Sequence, residues 1–509
     1  MPIIGNLIKR SLQARKKMNF KQGEPLQYQL KVLKKLLRTA QDTEFGRNYD
    51  FSMILDSENI IDTYQKVLPL HDYKKMYNEW WSKALEGQED VFWPGKIKYF
   101  ALSSGTSEGS SKYIPVTKDM LRAITKASIK QLYSMTNFNL PSWVFEKAVF
   151  TLGSSTDLDK MGQSYVGDMS GISADKAIPF IVQRFFKPGK KINRKRDWDE
   201  KLEEIAKNAP KWDIGAVAGI PVWVQLMMEK IIEQNHAESI HDIWPNLRVY
   251  IHGGIAFDPY RKNFEKLFRE PMTYIETYMA SEGYFAFRAR PETRALQLIL
   301  NNGHFYEFVP FNSRNFDENG DLKADAEVLD ISEVEEQVEY AILLSTVSGA
   351  WRYLIGDTIK FEDARRKEIL ITGRTKHFLS ICGEHLSIDN MVCAIQKTAE
   401  DLGISIPEFT VSGIPHGNLF AHKWYIGTDD EADPQKIRAL LDGHLRELND
   451  DYATERDNVL KDLQIELVPT RFFYEFLESE GKIGDQVKFP RVMKGERFRV
   501  WEDFVKSHR

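Results

Sequence analysis

The chain has 509 residues, too many for one ordinary hydrophobic core, so two or three structural units are expected. A content of 42% hydrophobic and 28% charged residues excludes a disordered chain, and 69 basic against 74 acidic residues give no electrostatic reason to invoke nucleic acid. The two cysteines, Cys382 and Cys393, are too few for a disulfide framework and read as small core residues in a reducing compartment. Lys9 and Arg10 interrupt the apolar start of the chain, which reads as a docked amphipathic helix and not a secretory signal. No run approaches the ~20 apolar residues of a membrane helix, so the expected location is the cytoplasm.

In chain order, Leu26, Leu30, Leu33 and Leu37 recur at helical spacing over residues 25–40, and Phe45-Gly46 is expected to close that region. A second helical stretch over 71–85 carries Tyr77, Trp80 and Trp81, which read as core aromatics. Residues 97–102 then read as a strand, followed by a stretch crowded with hydroxyls, two glycines and a lysine: Ser103-Ser104-Gly105-Thr106-Ser107-Glu108-Gly109-Ser110-Ser111-Lys112. Glycines let the backbone approach an anion, amide and hydroxyl groups supply donors and the lysine supplies charge, so this is a candidate phosphate-holding loop. It is not a Walker A loop, because Gly105 and Gly109 are too close and Lys112 comes too late. With Pro115 next and helical character over 117–136, the loop is expected to join a strand to a helix.

Residues 148–152 form a further strand, 166–174 read as a surface loop over a pocket, and the charge run 187–196 reads as a solvated connector. The small residues of 215–221 precede an apolar helix, and 247–251 is a buried-type strand running into His252-Gly253-Gly254. Asp258-Pro259 then opens a helix. Strand, glycine turn and helix in alternation define an α/β layer protein, whose ligands collect where strand ends meet glycine turns. The run from Tyr278 to Gly283 is expected to end a strand in Ser281 and the carboxylate of Glu282. Residues 305–310 alternate as a strand with Glu307 on its outward face, and 338–346 feed the segment Tyr353-Leu354-Ile355-Gly356-Asp357, with Asp357 expected at a turn. From Gly373-Arg374 onward the pattern becomes that of a compact α+β unit, with strands at 409–414, 423–427 and 464–468 and a helix after Asp433-Pro434. Residues 478–494, with Lys488 and Arg491, read as a mobile loop. The 11 histidines form no ligand cluster in sequence.

These segments, taken in order and spacing, resemble the auxin-responsive-promoter-type acyl-acid amido synthetases, the plant hormone-conjugating enzymes and their bacterial relatives within the adenylate-forming superfamily. The resemblance covers nearly the whole chain and rests on Ser103 to Lys112, Tyr278 to Gly283, Tyr353 to Asp357 and Gly373-Arg374. It implies a large N-terminal α/β domain of mixed sheets with flanking helices over 1–384 and a small mobile C-terminal α+β domain over 385–509, with a hinge about 383–387. It also implies that Ser103, Ser104, Thr106 and Ser107 line the ATP phosphates while Lys112 holds that loop. Gly253 and Gly254 would flank the adenine, Tyr278 its ring, Ser281 the α-phosphate, Asp357 the ribose, and Glu282 would contact Mg²⁺. Lys488 would be the C-terminal lysine that acts during adenylation. The chain departs from the family at the hinge, where Gly383-Glu384-His385 stands in place of a lysine-bearing sequence. The activity implied is ATP-dependent adenylation of a small carboxylic acid and transfer of its acyl group to an amino acid; an acyl-CoA ligase, or a nucleotide-binding protein without turnover, are the alternatives.

Overall fold

The computed structural model describes residues 3–19, 24–103, 112–178, 180–254, 257–317, 320–375, 379, 384, 386–416, 419–458, 460–482 and 488–509. They group into two compact units: Met1–Gly254, Leu267–Phe311 and Asp325–Leu370 form the first, and Ile255–Lys266, Asn312–Ala324 and Ile371–Arg509 the second. Of the expected hinge, Gly383 and His385 lie outside the described residues, as does Cys382.

In the first unit the leucine stripe folds as the helix Pro25–Ala40, with proline at its first turn, where an amide donor has no intrahelical partner. Leu33, Leu36 and Leu37 are buried, and so is Gln29. The Gln29 amide donates to the carbonyls of Leu300 (2.7 Å) and His304 (3.0 Å) and accepts from the Tyr306 amide (2.7 Å), tying the helix to the sheet beneath it. Phe45-Gly46 does not simply close the region. It lies in a short helix, Glu44–Asn48, whose Phe45 packs on Trp80 and Trp351. The expected aromatic helix forms over Tyr73–Met76, Tyr77–Trp81 and Ser82–Leu85, with one π-helical turn in its middle and Trp80 and Trp81 buried.

An eleven-stranded sheet runs through this unit. Five strands, Phe186–Lys187, Ala148–Thr151, Ile214–Ala218, Val249–Gly253 and Thr273–Ala280, pair in parallel, and the pairing turns antiparallel at Gly283–Phe287. Leu296–Leu298, Glu368–Arg374, Tyr353–Asp363, Glu339–Thr346 and His304–Pro310 complete it. The strands Gly283–Phe287 and Glu339–Thr346 are buried almost throughout, consistent with cover on both faces. A smaller sheet orders Lys112–Val116, Tyr99–Ser103, Ser164–Asp168 and Asp159–Met161.

Two expectations are corrected here. The candidate loop joins two antiparallel strands, because Lys112–Val116 folds back on Tyr99–Ser103 before the helix Lys118–Ser134 begins. Pro115 is tolerated because this strand is at the sheet edge, where a missing amide donor breaks no ladder. The segment 166–174 is not a surface loop: it finishes the strand Ser164–Asp168 and enters the helix Met169–Lys176, which buries Met169 and Ile172.

A third correction concerns Glu307, which is fully buried and not on an outward face. Arg352 Nε donates to its two oxygens at 3.1 and 3.2 Å, and Arg352 Nη1 donates to the Gln65 and Leu68 carbonyls, both at 2.7 Å. Alternation along a strand cannot show this, because the partners are remote in sequence: Arg352 immediately precedes the strand Tyr353–Asp363, and Gln65, on the helix Ile60–Val67, donates its side-chain amide to Glu307 Oε1 at 3.1 Å. Removing one partner leaves an uncompensated buried charge. Arg352→Met is therefore expected to lower unfolding free energy by about 3–5 kcal/mol in urea denaturation. A loss below about 1 kcal/mol would contradict this reading.

The second unit carries the three-stranded sheet Glu408–His416, Leu419–Gly427 and Leu460–Val468. The helix Ile388–Leu402 starts at a capping box of Ser387 and Asn390 and stops at Gly403, whose φ of +68° suits glycine. It packs with Pro434–Leu448 on the buried Phe409, Trp424 and Leu463. The chain thus adopts an α/β fold with mixed sheets and flanking helices plus a separate α+β unit. Among the described residues no helix is long and apolar enough to cross a membrane.

Candidate active site

Ser103 pairs with Lys112 at the mouth of the candidate loop. Ser104, Thr106 and Ser107 lie outside the described residues. The Lys112 ammonium sits 5.2 Å from the centroid of the Tyr73 ring, and the amide of Tyr113 donates to the Tyr73 hydroxyl at 2.9 Å. The aromatic helix therefore fixes the loop's exit and holds the lysine by its attraction to a π face.

Gly253 ends the parallel strand Val249–Gly253, on the carboxyl side where α/β sheets bind ligands. A Cβ there would come within 2.5 Å of the Thr277 carbonyl oxygen and Oγ1, so close strand packing requires glycine. Gly254 follows with φ of +85°, a left-handed conformation that turns the chain out of the sheet.

As expected, the strand Thr273–Ala280 ends directly in Ser281 and Glu282. They are the two-residue loop of a tight hairpin in which Ala280 pairs with Gly283, and both side chains are buried. Asp357, by contrast, is not at a turn. It lies inside the strand Tyr353–Asp363, after Gly356 with φ of +87°. Leu343 pairs with Leu354 and Ala341 with Thr358, so the strand of Asp357 bulges against its neighbour there. A bulge re-aims a side chain without ending the strand.

Two cross-links join these segments. The Tyr278 hydroxyl donates to Asp357 Oδ2 at 2.7 Å, and the Tyr353 hydroxyl donates to Glu282 Oε1 at 3.2 Å. Each stretch gives one tyrosine and one carboxylate, and each tyrosine orients the other stretch's carboxylate. The reading of the sequence missed Tyr353 as a site residue, together with the residues that hold it. Its ring packs 5.3 Å from that of Trp81. The amide of His71 donates to the Arg352 carbonyl at 3.0 Å, and the Leu354 amide donates to the His71 carbonyl at 2.8 Å. No local signal marks these partners, which are about 270–280 positions apart in sequence.

Two buried histidines near these segments give the fold an acid limit. Burial pushes His304 down to about 3, with the Lys130 charge adding to it, and pushes His71 down to about 4, helped by Lys75. His71 keeps a contact of 2.7 Å between Nδ1 and the Trp351 carbonyl, which requires a proton on that nitrogen. In the unfolded chain both would take up a second proton near 6.5, whereas in the fold both stay neutral. The unfolded state therefore binds more protons between about 3 and 6.5, so stability rises with pH across that window and is lost on acidification. By about pH 5 each histidine is expected to remove roughly 2 kcal/mol, read as a fall in melting temperature that His304→Gln lessens. Equal melting temperatures at about pH 7.5 and pH 5 would contradict it.

Lys488 belongs to the second unit, where it is exposed immediately before the buried Phe489. Gly373 and Arg374 end the strand Glu368–Arg374. Among the described residues no three His, Cys, Asp or Glu side chains converge as a metal-holding group.

Residues 14–202 and 131–272 match the GH3 family N-terminal domain, 297–368 the GH3 family central domain, and 389–497 the GH3 family C-terminal domain. Among curated proteins the chain is similar to the probable indole-3-acetic acid-amido synthetase GH3.1 of Arabidopsis thaliana. The two are 24% identical over 304 residues, covering 54% of this chain and 48% of that protein. It is also similar to the jasmonoyl-L-amino acid synthetase GH3.5 of Oryza sativa subsp. japonica, at 21% identity over 398 residues, 65% of this chain and 66% of that protein. The chain spans about half the length of the curated relatives it matches. Among solved structures, the GH3.15 acyl acid amido synthetase shares its fold with a TM-score of 0.77 at 16% identity, over 98% of this chain and 96% of that one. A 2-hydroxyisobutyryl-CoA ligase in complex with 2-HIB-AMP follows at 0.59 and 12% identity, over 94% and 91%. With three domain matches in chain order, the first spanning half of the sequence, the chain belongs to the GH3 family.

Proposed function

We propose that this protein is an ATP-dependent ligase that adenylates a small carboxylic acid and passes the acyl group to an amino acid, forming an amide. The observation that carries the reading is the pair of tyrosine–carboxylate cross-links, Tyr278 to Asp357 and Tyr353 to Glu282. A carboxylate offers about four lone-pair sites, so one oriented by a tyrosine hydroxyl suits the two vicinal hydroxyls of a ribose. Asp357 is assigned to the ribose and Tyr278 to the adenine side, with Gly253 and Gly254 flanking the base. Ser281 faces the α-phosphate in this assignment. Ser103, Ser104, Thr106 and Ser107 are assigned to the phosphates of ATP, and Lys112 to the orientation of their loop.

Glu282 is a hard oxygen ligand suited to the Mg²⁺ that accompanies ATP, and its Tyr353 partner fixes its direction. Bound there, the ion would neutralise phosphate charge and polarise the α-phosphorus. In the first half-reaction an oxygen of the substrate carboxylate bonds to the α-phosphorus, the bond to the bridging oxygen of the β-phosphate breaks, and pyrophosphate leaves. The Lys488 ammonium is assigned to the charge that develops there. In the second, the amino acid's neutral amine attacks the acyl carbon, AMP leaves with the bonding electrons, and the nitrogen gives up a proton. The mixed anhydride must be kept from water between the two steps. A small domain over 385–509, turning about residues 383–387, is proposed to exchange the adenylation contacts for those of acyl transfer. We place the enzyme in the cytoplasm, on the cysteine count.

An assay with acid, ATP and an amino acid mixture, with and without coenzyme A, tests the acceptor. Amide without coenzyme A is the expected product. Product that appears only with coenzyme A would replace the amide reading by that of an acyl-CoA ligase.

A further inference from the structure

Resting on the assignment of Lys488 to adenylation, we infer that Arg491, Glu408 and Tyr260 form a buried anchor that sets the register of residues 488–493 and thereby presents Lys488. Residues 478–494 were expected to be a mobile loop, yet their described part is tied down. The helix Arg471–Ser479 takes the start of the stretch, and Phe489 packs 4.6 Å from Phe473 and 5.0 Å from Trp501, ring centre to ring centre. The Val411 amide donates to the Arg491 carbonyl and the Met493 amide to the Val411 carbonyl, each at 2.9 Å, so the stretch lies as a parallel bridge along Glu408–His416.

Apolar packing and two backbone bonds alone would tolerate a slip. A slip of one residue moves Lys488 by about 3.3 Å and turns it to the opposite face. The anchor opposes this. Arg491 Nη1 donates to Glu408 Oε2 at 2.5 Å and to the Phe409 carbonyl at 3.2 Å, and its guanidinium lies 4.6 Å from the Phe409 ring centroid. The Tyr260 hydroxyl donates to the other oxygen, Glu408 Oε1. The Arg491 side chain is only 12% exposed and that of Glu408 5%. A buried, hydrogen-bonded ion pair adds little net stability over apolar packing, but it admits one register, because any other leaves a charge unpaired. Arg491 lies three residues beyond Lys488, so the fixed point is close enough to set where the lysine emerges.

Arg491→Lys keeps the charge but loses the rigid planar guanidinium that lies over Phe409 and aims Nη1 at both oxygen acceptors. In acid-driven pyrophosphate exchange it is expected to lower kcat about tenfold to a hundredfold, with the KM for ATP within about twofold. In a Lys488→Ala background it is expected to change nothing further, because the group it positions is gone. Equal losses of kcat in both backgrounds would assign the anchor to general stability and overturn the inference, leaving the role of Lys488 intact. Unchanged kcat in Lys488→Ala alone would overturn both. Should Arg491→Lys fail to fold, Tyr260→Phe, which removes one hydroxyl, is read by the same cycle with a loss of about threefold expected.

Discussion

Replacing Lys488 by alanine is expected to slow acyl-adenylate formation about 10²–10³-fold while leaving the affinity for ATP within about twofold. The asymmetry follows from where the charge is used. Ground-state ATP is held, in this account, by groups of the first unit: the loop after Ser103, Asp357 and Glu282. Lys488 is an exposed residue of the second unit, assigned to the negative charge that builds on the α-phosphate as the carboxylate adds. An interaction made only in the transition state lowers kcat and kcat/KM together. Single-turnover adenylation and ATP titration of the same variant separate the two. An ATP affinity lowered as much as the rate would move Lys488 to ground-state binding.

Replacing Asp357 by alanine is expected to act on the other quantity, raising the Kd for ATP about tenfold to a hundredfold. Hydrogen bonds to a charged group contribute about 1.5–3 kcal/mol, and the substitution also leaves the buried Tyr278 hydroxyl without its acceptor. Calorimetric titration with ATP measures it. Tyr278→Phe, which keeps the carboxylate and removes only its donor, is expected to cost about threefold to tenfold. Unchanged ATP affinity in Asp357→Ala would remove the ribose assignment.

Much of this was legible in the sequence where a signal is local. The leucine spacing and opening proline of Pro25–Ala40 gave that helix its limits, and small residues before Pro221 marked the turn from strand to helix. The family resemblance also implied that the Tyr278–Gly283 and Tyr353–Asp357 segments share a site, and the Tyr278–Asp357 bond joins the two segments. What was not legible depends on partners remote in sequence. Glu307 alternates like an outward residue, and its burial is explained by Arg352 and Gln65, both remote in sequence. A glycine before Asp357 reads as a turn; the register with Glu339–Thr346 makes it a bulge instead. Pro115 reads as the lead into a helix unless the edge position of its strand is known. Tyr353 reads as one more strand aromatic until Glu282 is seen beside its hydroxyl.

Acid-dependent exchange of labelled pyrophosphate into ATP, measured without any amine or coenzyme A across a panel of aromatic and aliphatic carboxylic acids, tests the adenylation chemistry most directly. Label in ATP is expected with a subset of the acids and not without acid, and the signal is expected to be lost in Lys488→Ala. ATP cleaved to ADP and phosphate in the presence of acid, with no label exchanged, would contradict it.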